Sequence, residues 1–357
     1  MIRVGIIGMG RSGWELHAAP LSQLPGYQVA AVCDQSEKRL TEAARLFNAK
    51  PFTDPEALCR APEVDLVVVA VPGSLHSTLA IHALGFGKHV LVEKPMANTL
   101  AEAEAMLAAA EKSKGLLTVF HNRMWDRDFL MVRQLVQEAF FGEVLSIESR
   151  VMTYGPEWPS YGVPEFNATW RTQAAYGGGF LADWGPHLVG QCLALAGAWP
   201  ARVTCQLRSQ VWATEVEDAF NLCLDFDSGL LVMIEGSNNA RLPLPRWFVV
   251  GREATLVADG AWGRWTHMRA RKSVGSMVMD IVPQDPGSAT AGRSMAVGED
   301  LSVQFYTDLA RALDAGTPPA ITAAFARDVI ALLEAARRSH ETRATVAAPA
   351  PRSSDPR

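Results

Sequence analysis

No stretch of this 357-residue sequence is apolar for long enough to cross a bilayer. The longest candidate, Val64–Val71, is short and contains Asp65, whereas a membrane helix needs roughly 18 apolar residues or more. Excess positive charge is missing too: 33 Lys and Arg against 38 Asp and Glu leave a formal net charge of −5. Nothing in that balance favours nucleic acid or an anionic membrane as a partner. Cysteine is scarce and scattered, as Cys33, Cys59, Cys192, Cys205 and Cys223. The number is odd and no C-x-x-C pair occurs, which removes a disulfide scaffold and a cysteine zinc site. Cys33, Cys205 and Cys223 fall in strand-like apolar runs and read as small, reduced core residues. Met1-Ile2-Arg3-Val4 carries one positive charge with no small-residue cleavage site after it, a poor secretory signal. A reducing cytoplasm is therefore the expected location.

What is present is ordinary globular material, 48% hydrophobic and 20% charged, and its length predicts two domains. Over the first 120 residues, β-branched runs (Ile2–Ile7, Gln28–Cys33, Val64–Val71, His89–Val92, Leu116–Phe120) alternate with helical spacing at Glu37–Phe47, Ser77–Leu84 and Leu100–Lys112. That alternation predicts βαβ units and a doubly wound parallel sheet, a Rossmann-type α/β domain over residues 1–121. Beyond Asn122 the texture is that of an α+β domain, residues 122–343, with an open and largely antiparallel sheet. Phe220, Leu222, Leu224 and Phe226 alternate with polar neighbours, the period of a strand with one buried face. Asp227-Ser228-Gly229 reads as a hairpin turn. Helices are predicted near Asp183–Leu195 and Leu301–Ala315, with the C-terminal helices of residues 300–340 packing back on the first domain. The Ala-, Pro- and Ser-rich tail, 344–357, is expected to be disordered.

Gly8-Met9-Gly10-Arg11-Ser12-Gly13 fits G-x-G-x-x-G, directly after the strand Ile2–Ile7, and Asp34 ends the next strand about 20 residues beyond Gly13. Gly8 permits the tight turn, Gly10 lets the backbone approach a pyrophosphate, and Gly13 lets helix and strand pack closely. The helix start beyond them offers unpaired N–H groups and positive partial charge to phosphates. Asp34 can accept from both ribose hydroxyls and repels a 2′-phosphate, so NAD is expected over NADP; the nearby Arg39 leaves NADP open.

Ligands of an open parallel sheet sit beyond the carboxyl ends of its strands. Val71-Pro72 with His76, and Glu93-Lys94-Pro95, occupy two such ends. His76 suits packing, capping or a cofactor contact equally. Together the glycine turn, Asp34, Val71-Pro72, His76 and Glu93-Lys94-Pro95 resemble the glucose–fructose oxidoreductase / inositol dehydrogenase (Gfo/Idh/MocA) family over nearly the whole chain. The resemblance implies that Lys94 lies in the active site, that the peptide before Pro95 is cis, and that Asn122 and Arg123 line the cleft.

Asp183, His187 and Gln191 stand four apart on one helical face. Read from the residues alone, Asp183 is an N-cap with Pro186 in the first turn, and His187 bridges two elements. No metal is expected, because no partnering ligand cluster is evident. The resemblance makes both residues catalytic candidates beside Lys94. In that reading His187 takes the hydroxyl proton of a secondary alcohol and Lys94 stabilises the alkoxide; Asp183 orients the substrate or the imidazole. The acid/base assignment between Lys94 and His187 stays open. The aromatic segment Trp125, Tyr154, Trp158, Tyr161, Trp170, Arg171 suits core packing, and its rings also suit a polyol; Arg123, Trp125, Trp170 and Arg171 are substrate candidates. The expected activity is hydride transfer between NAD(P) and a secondary alcohol of a sugar, cyclitol or related polyol. Two alternatives remain, an NAD-retaining glycosidase working by transient oxidation and elimination, and a non-catalytic NAD-binding sensor. The resemblance also implies a homodimer or homotetramer, formed through the open sheet face.

Overall fold

A computed structural model describes residues 1–155, 169–209, 211–261, 264–274, 277–281 and 301–353, with only the backbone described at 169, 259–261, 264–269, 273–274, 277–281 and 301. Trp158 and Tyr161 of the aromatic segment lie outside the described residues. The chain divides into two compact units. The first comprises Met1–Asn122, Trp158–Gly178 and Asp300–Ile330; the second comprises Arg123–Glu157, Gly179–Glu299 and Ala331–Arg357.

In the first unit the chain runs through β1 (Ile2–Ile7), α1 (Ser12–Ala18 in wide π-type turns, continued by Ala19–Leu21) and β2 (Tyr27–Cys33). It continues through α2 (Glu37–Phe47), β3 (Lys50–Phe52), α3 (Pro55–Arg60), β4 (Leu66–Val69), α4 (His76–Gly85), β5 (His89–Val92), α5 (Leu100–Lys112) and β6 (Leu117–Val119). The sheet order is β3-β2-β1-β4-β5-β6, and every pairing is parallel. All four residues of β4, Leu66–Val69, are buried, as expected of a central strand covered by helices on both faces. Thr99 and Glu102 close a capping box at the start of α5. The strand order reverses between β1 and β4, the point where a doubly wound sheet opens a ligand crevice at its carboxyl ends.

The second unit holds α6 (Arg127–Gln137), β7 (Val144–Met152), α7 (Phe180–Ala196), β8 (Arg202–Arg208), β9 (Ala219–Asp225) and β10 (Leu231–Ser237). They are followed by β11 (Trp247–Gly251), β12 (Ala254–Ala261), β13 (Arg264–Val274) and β14 (Met277–Ile281). α8 (Leu301–Ala315) belongs to the first unit, α9 (Ala323–Thr342) is divided between the two units after Ile330, and β15 (Val346–Ala347) returns to the second. The nine strands run in the order β14-β13-β12-β11-β7-β10-β9-β8-β15; only β7 and β10 pair in parallel, the rest antiparallel. Phe220, Leu222 and Leu224 are buried on the face against which α7 lies. On the opposite face Arg150 pairs with Glu148 and, at 3.5 Å, with Glu235.

Two expectations need correction. The tail is ordered where it starts: β15 pairs with β8, the Ala348 amide donates to the Ala201 carbonyl at 2.9 Å, and the Trp199 indole N–H donates to the Pro349 carbonyl at 2.8 Å. Backbone pairing, to which composition is blind, holds this segment. Asp183 does not cap α7: the helix starts at Phe180 behind Gly179, and the Asp183 amide is already in the helical ladder, donating to the Gly179 carbonyl at 3.0 Å. Pro186 consequently falls inside the helix rather than in its first turn.

Candidate active site

The first unit gathers the glycine turn, Asp34 and the ends of β4 and β5. Gly8 has φ +95°, and a Cβ there would overlap the Ala70 carbonyl; a Cβ on Gly13 would overlap the Gly8 carbonyl. Both positions therefore exclude larger residues, the second because α1 meets β1 closely. Around Gly10 the situation is reversed. A Cβ there would meet no heavy atom of the described residues within 4 Å, which leaves its backbone open to a phosphate, with Arg11 and Ser12 half-buried just beyond. Met9 is fully buried, but its amide donates to Asp34 Oδ2 at 2.7 Å, while the Ser36 amide donates to Oδ1 at 2.8 Å. These two donors fix the carboxylate at the end of β2, and each oxygen keeps a lone pair for a ribose hydroxyl. The cradle and the acid together fit a nicotinamide dinucleotide.

Val71 follows β4 and packs against the turn, its Cγ1 3.0 Å from where a Gly8 Cβ would lie. His76 is a strut between two loops. Buried, it approaches the Val71 carbonyl through Nε2 at 2.8 Å and the Pro95 carbonyl through Nδ1 at 2.7 Å. Burial lowers its pKa against the opposing pull of those two carbonyls. The structure thus brings His76 to the loops that carry Pro72 and Lys94, not to an open surface. The Lys94–Pro95 peptide is cis. Glu93, buried, accepts the Lys94 amide through Oε2 at 3.0 Å. His121 is pushed down to about 4, by burial and then by the Lys94 charge. Asn122 opens the short turn Asn122–Trp125 that follows β6. Trp170 and Arg171 also belong to this unit, in the turn Thr169–Thr172, with the guanidinium 4.8 Å from the indole centre.

The second unit builds its part on α7. Glu217 supplies the missing cap: Oε1 accepts the Leu181 amide at 2.9 Å, and the Glu217 carbonyl accepts the Phe180 amide at 2.9 Å. Asp183 is half-buried in the first turn and His187 is buried one turn later, edge-on to Trp184 at 5.9 Å. Arg123 lies over Trp184 at 4.6 Å and pairs with Asp126 at 3.3 Å; Trp125 is half-buried in the same turn. Gln191, one turn beyond His187 and fully buried, donates to the Arg123 carbonyl at 2.6 Å and accepts from Arg246 at 2.5 Å. Arg246 also donates to Ser149 and faces Asp128 at 3.6 Å. Burial raises the Asp126 carboxyl to about 6 despite the Arg123 charge beside it. Sequence reasoning missed Asp126, Arg246 and Glu217. Each comes from a different segment, and no local spacing connects any of them with α7. Among the described residues no group of three or more His, Cys, Asp or Glu side chains could hold a metal ion, and no helix is long and apolar enough to cross a membrane.

A doubly wound domain with a glycine turn, a strand-end acid and a strand-end lysine, continued by an open mixed sheet, defines a class of nicotinamide-dependent oxidoreductases. Residues 2–121 match the family described as "Oxidoreductase family, NAD-binding Rossmann fold" (GFO_IDH_MocA). Residues 129–257 match the GFO/IDH/MocA C-terminal domain. The chain is 31% identical to scyllo-inositol 2-dehydrogenase (NADP(+)) IolW of Bacillus subtilis, covering 97% of this chain and 95% of that protein. Over a shorter span, 42% of this chain and 45% of the relative, it is 35% identical to myo-inositol 2-dehydrogenase of Thermotoga maritima. The solved structure of the putative oxidoreductase yvaA from Bacillus subtilis superposes with a TM-score of 0.83 at 26% identity, covering 97% of this chain and 98% of that one. The chain belongs to the Gfo/Idh/MocA family of oxidoreductases and is an NAD(P)-dependent dehydrogenase.

Proposed function

We propose that the protein oxidises a ring or chain secondary alcohol of a sugar, cyclitol or related polyol, with NAD preferred to NADP. The observation that carries this reading is the grouping, within one unit, of the open Gly10 cradle, the anchored Asp34 carboxylate and Lys94 at the carboxyl ends of β1, β2 and β5. Gly8, Gly10, Arg11, Ser12, Gly13 and Asp34 would hold a nicotinamide dinucleotide, which would supply the hydride acceptor when bound. The protein's own task is to raise the electron density of the carbinol by handling its proton. Lys94 offers an ammonium to the oxygen as negative charge develops. His187 offers an imidazole of a type suited to proton exchange near neutrality. Asp183, one turn before His187, orients substrate or imidazole. Arg123, Trp125, Trp170 and Arg171 supply donors and flat rings of the kind that read polyols. The relatives named for inositol oxidation support the substrate class. The NADP in one of those names makes the cofactor choice a specific test of Asp34.

The experiment is a panel of inositols, aldoses and sugar acids with NAD or NADP, read by absorbance of the reduced nicotinamide. Net reduction with at least one polyol is expected. Lys94→Ala is expected to bind NADH normally and to lose about 10²-fold or more in kcat. Unchanged turnover would remove Lys94 from the chemistry. No net reduction with any member of the panel would overturn the proposed substrate class.

A further inference from the structure

Three side chains of the first unit that the proposed chemistry does not use, Tyr306, His17 and Glu93, form a buried line leading to Lys94. His17, on α1 one turn past the glycine loop, is completely buried. Its Nδ1 lies 2.7 Å from the Tyr306 hydroxyl of α8, and its Nε2 lies 3.2 Å from Glu93 Oε1. The other Glu93 oxygen accepts the Lys94 amide at 3.0 Å. Phe120 lies against the imidazole at 4.6 Å with its ring tilted by 58°, and Phe305 and Tyr27 pack against Phe120 and Tyr306. The Tyr27 hydroxyl donates to the Tyr306 carbonyl at 2.8 Å. Three polar side chains thus sit in an aromatic box that apolar residues would fill as well.

The bonding allows one direction throughout. Among the described residues the Tyr306 hydroxyl has no hydrogen-bond acceptor other than His17 Nδ1. A hydroxyl proton directed there would put the imidazole proton on Nε2, facing Glu93 Oε1, while Oε2 receives the Lys94 N–H. Burial alone would raise the Glu93 carboxyl, but the His17 hydrogen bond and then the charges around it, Lys94 included, outweigh burial and hold it below the ordinary range. Glu93 thus offers an oxygen to each neighbour, Oε1 to His17 and Oε2 to the Lys94 amide. A fully satisfied buried chain of this kind fixes geometry, because each member left alone would be an unpaired buried polar group.

We propose that Tyr306, His17 and Glu93 form a one-way hydrogen-bond chain that positions Lys94 and ties its backbone to the helix following the phosphate turn. They are positioning residues, acting through Lys94, and their importance for catalysis rests on the Lys94 role proposed above. Shifting the Lys94 backbone displaces its ammonium, and misplacement of a reacting group by about 1 Å can cost about 10²-fold in rate.

The test uses the full-length protein and three variants. Tyr306→Phe keeps the ring and removes the donor, His17→Leu removes the link, and His17→Gln keeps a donor for Glu93. Lysines are reductively methylated with ¹³C-formaldehyde, and the Lys94 resonance is assigned by its loss in Lys94→Arg. The expected result is a displaced or broadened Lys94 signal in Tyr306→Phe and His17→Leu, a smaller change in His17→Gln, and unchanged signals from the other lysines. Selective ¹⁵N-histidine labelling should show His17 as the Nε2–H tautomer at neutral pH in the unaltered protein. With a polyol turned over in the panel above, kcat should fall about 10- to 100-fold in Tyr306→Phe, with NADH affinity retained and partial recovery in His17→Gln relative to His17→Leu. A Lys94 signal unmoved in both Tyr306→Phe and His17→Gln, or His17 in the Nδ1–H form, overturns the chain. Absence of turnover by the unaltered protein overturns the proposed substrate class instead, since the lysine and histidine signals need no substrate. Should His17→Leu fail to fold, Tyr306→Phe and His17→Gln decide the matter.

Discussion

Asp34 carries the cofactor choice on one carboxylate already gripped by the Met9 and Ser36 amides. Asp34→Ala removes both the acceptor for the ribose hydroxyls and the charge that repels a 2′-phosphate. It is expected to weaken NADH binding by about tenfold, the loss of one or two charged hydrogen bonds, while NADPH affinity holds or rises. Fluorescence titration with the two cofactors measures the ratio, and a larger loss for NADPH would reverse the preference. The glycines of the turn separate by mechanism. Gly13→Ala drives a methyl into the Gly8 carbonyl and is expected to destabilise the fold by about 1–3 kcal/mol, seen as a lower Tm. Gly10→Ala points its methyl into open space, so Tm should hold while NADH affinity falls. Equal Tm losses in the two variants would show that Gly10 is a turn residue and nothing more.

At the scale of elements, legibility followed locality. The β1–α1–β2 unit and its glycine turn could be read because strand, turn and acid are consecutive and each obeys a short-range rule. So could β9, whose alternation survives in the burial of Phe220, Leu222 and Leu224. The elements the sequence did not announce are short or lack an apolar rhythm: β3 is three residues with Pro51 at its centre, α3 is six, and β13 is dominated by Arg, His and Lys. The start of α7 was misread because its cap, Glu217, comes from a loop far along the chain. His76 was ambiguous for the same reason, since one of its two carbonyl partners lies beyond the next strand. The network behind α7 brings Asp126, Gln191 and Arg246 together by packing alone. It has a consequence for pH. The Asp126 carboxyl is raised to about 6, above the roughly 3.9 of an unfolded chain. The native state therefore retains the proton in that window, and the contribution of Asp126 to stability is fully present below about 4 and is lost as pH rises through about 6. Asp126→Asn, which stays neutral, is expected to gain about 2–3 kcal/mol relative to the unaltered protein between pH ~4 and pH ~7. Denaturation series at several pH values check this, and a parallel pH dependence in both proteins would refute it.

For the molecule as a whole, the nine-stranded sheet leaves one face carrying half-buried charged and polar side chains, Arg150, Glu148, Glu235 and Asn221 among them. The expected assembly is a homodimer or homotetramer, and light scattering at micromolar concentration should return two or four times the chain mass. A monomer at that concentration would refute it.

The last paired strand bears on how the gene can be handled. β15 shields the outer edge of β8, and Trp199 latches onto the Pro349 carbonyl. Trimming the coding region after residue 343, as its composition invites, would strip that shield and leave a row of unmatched amides and carbonyls available to neighbouring molecules, a known route to precipitation. Tags and fusions are better joined beyond Ser353, where the latch is already closed.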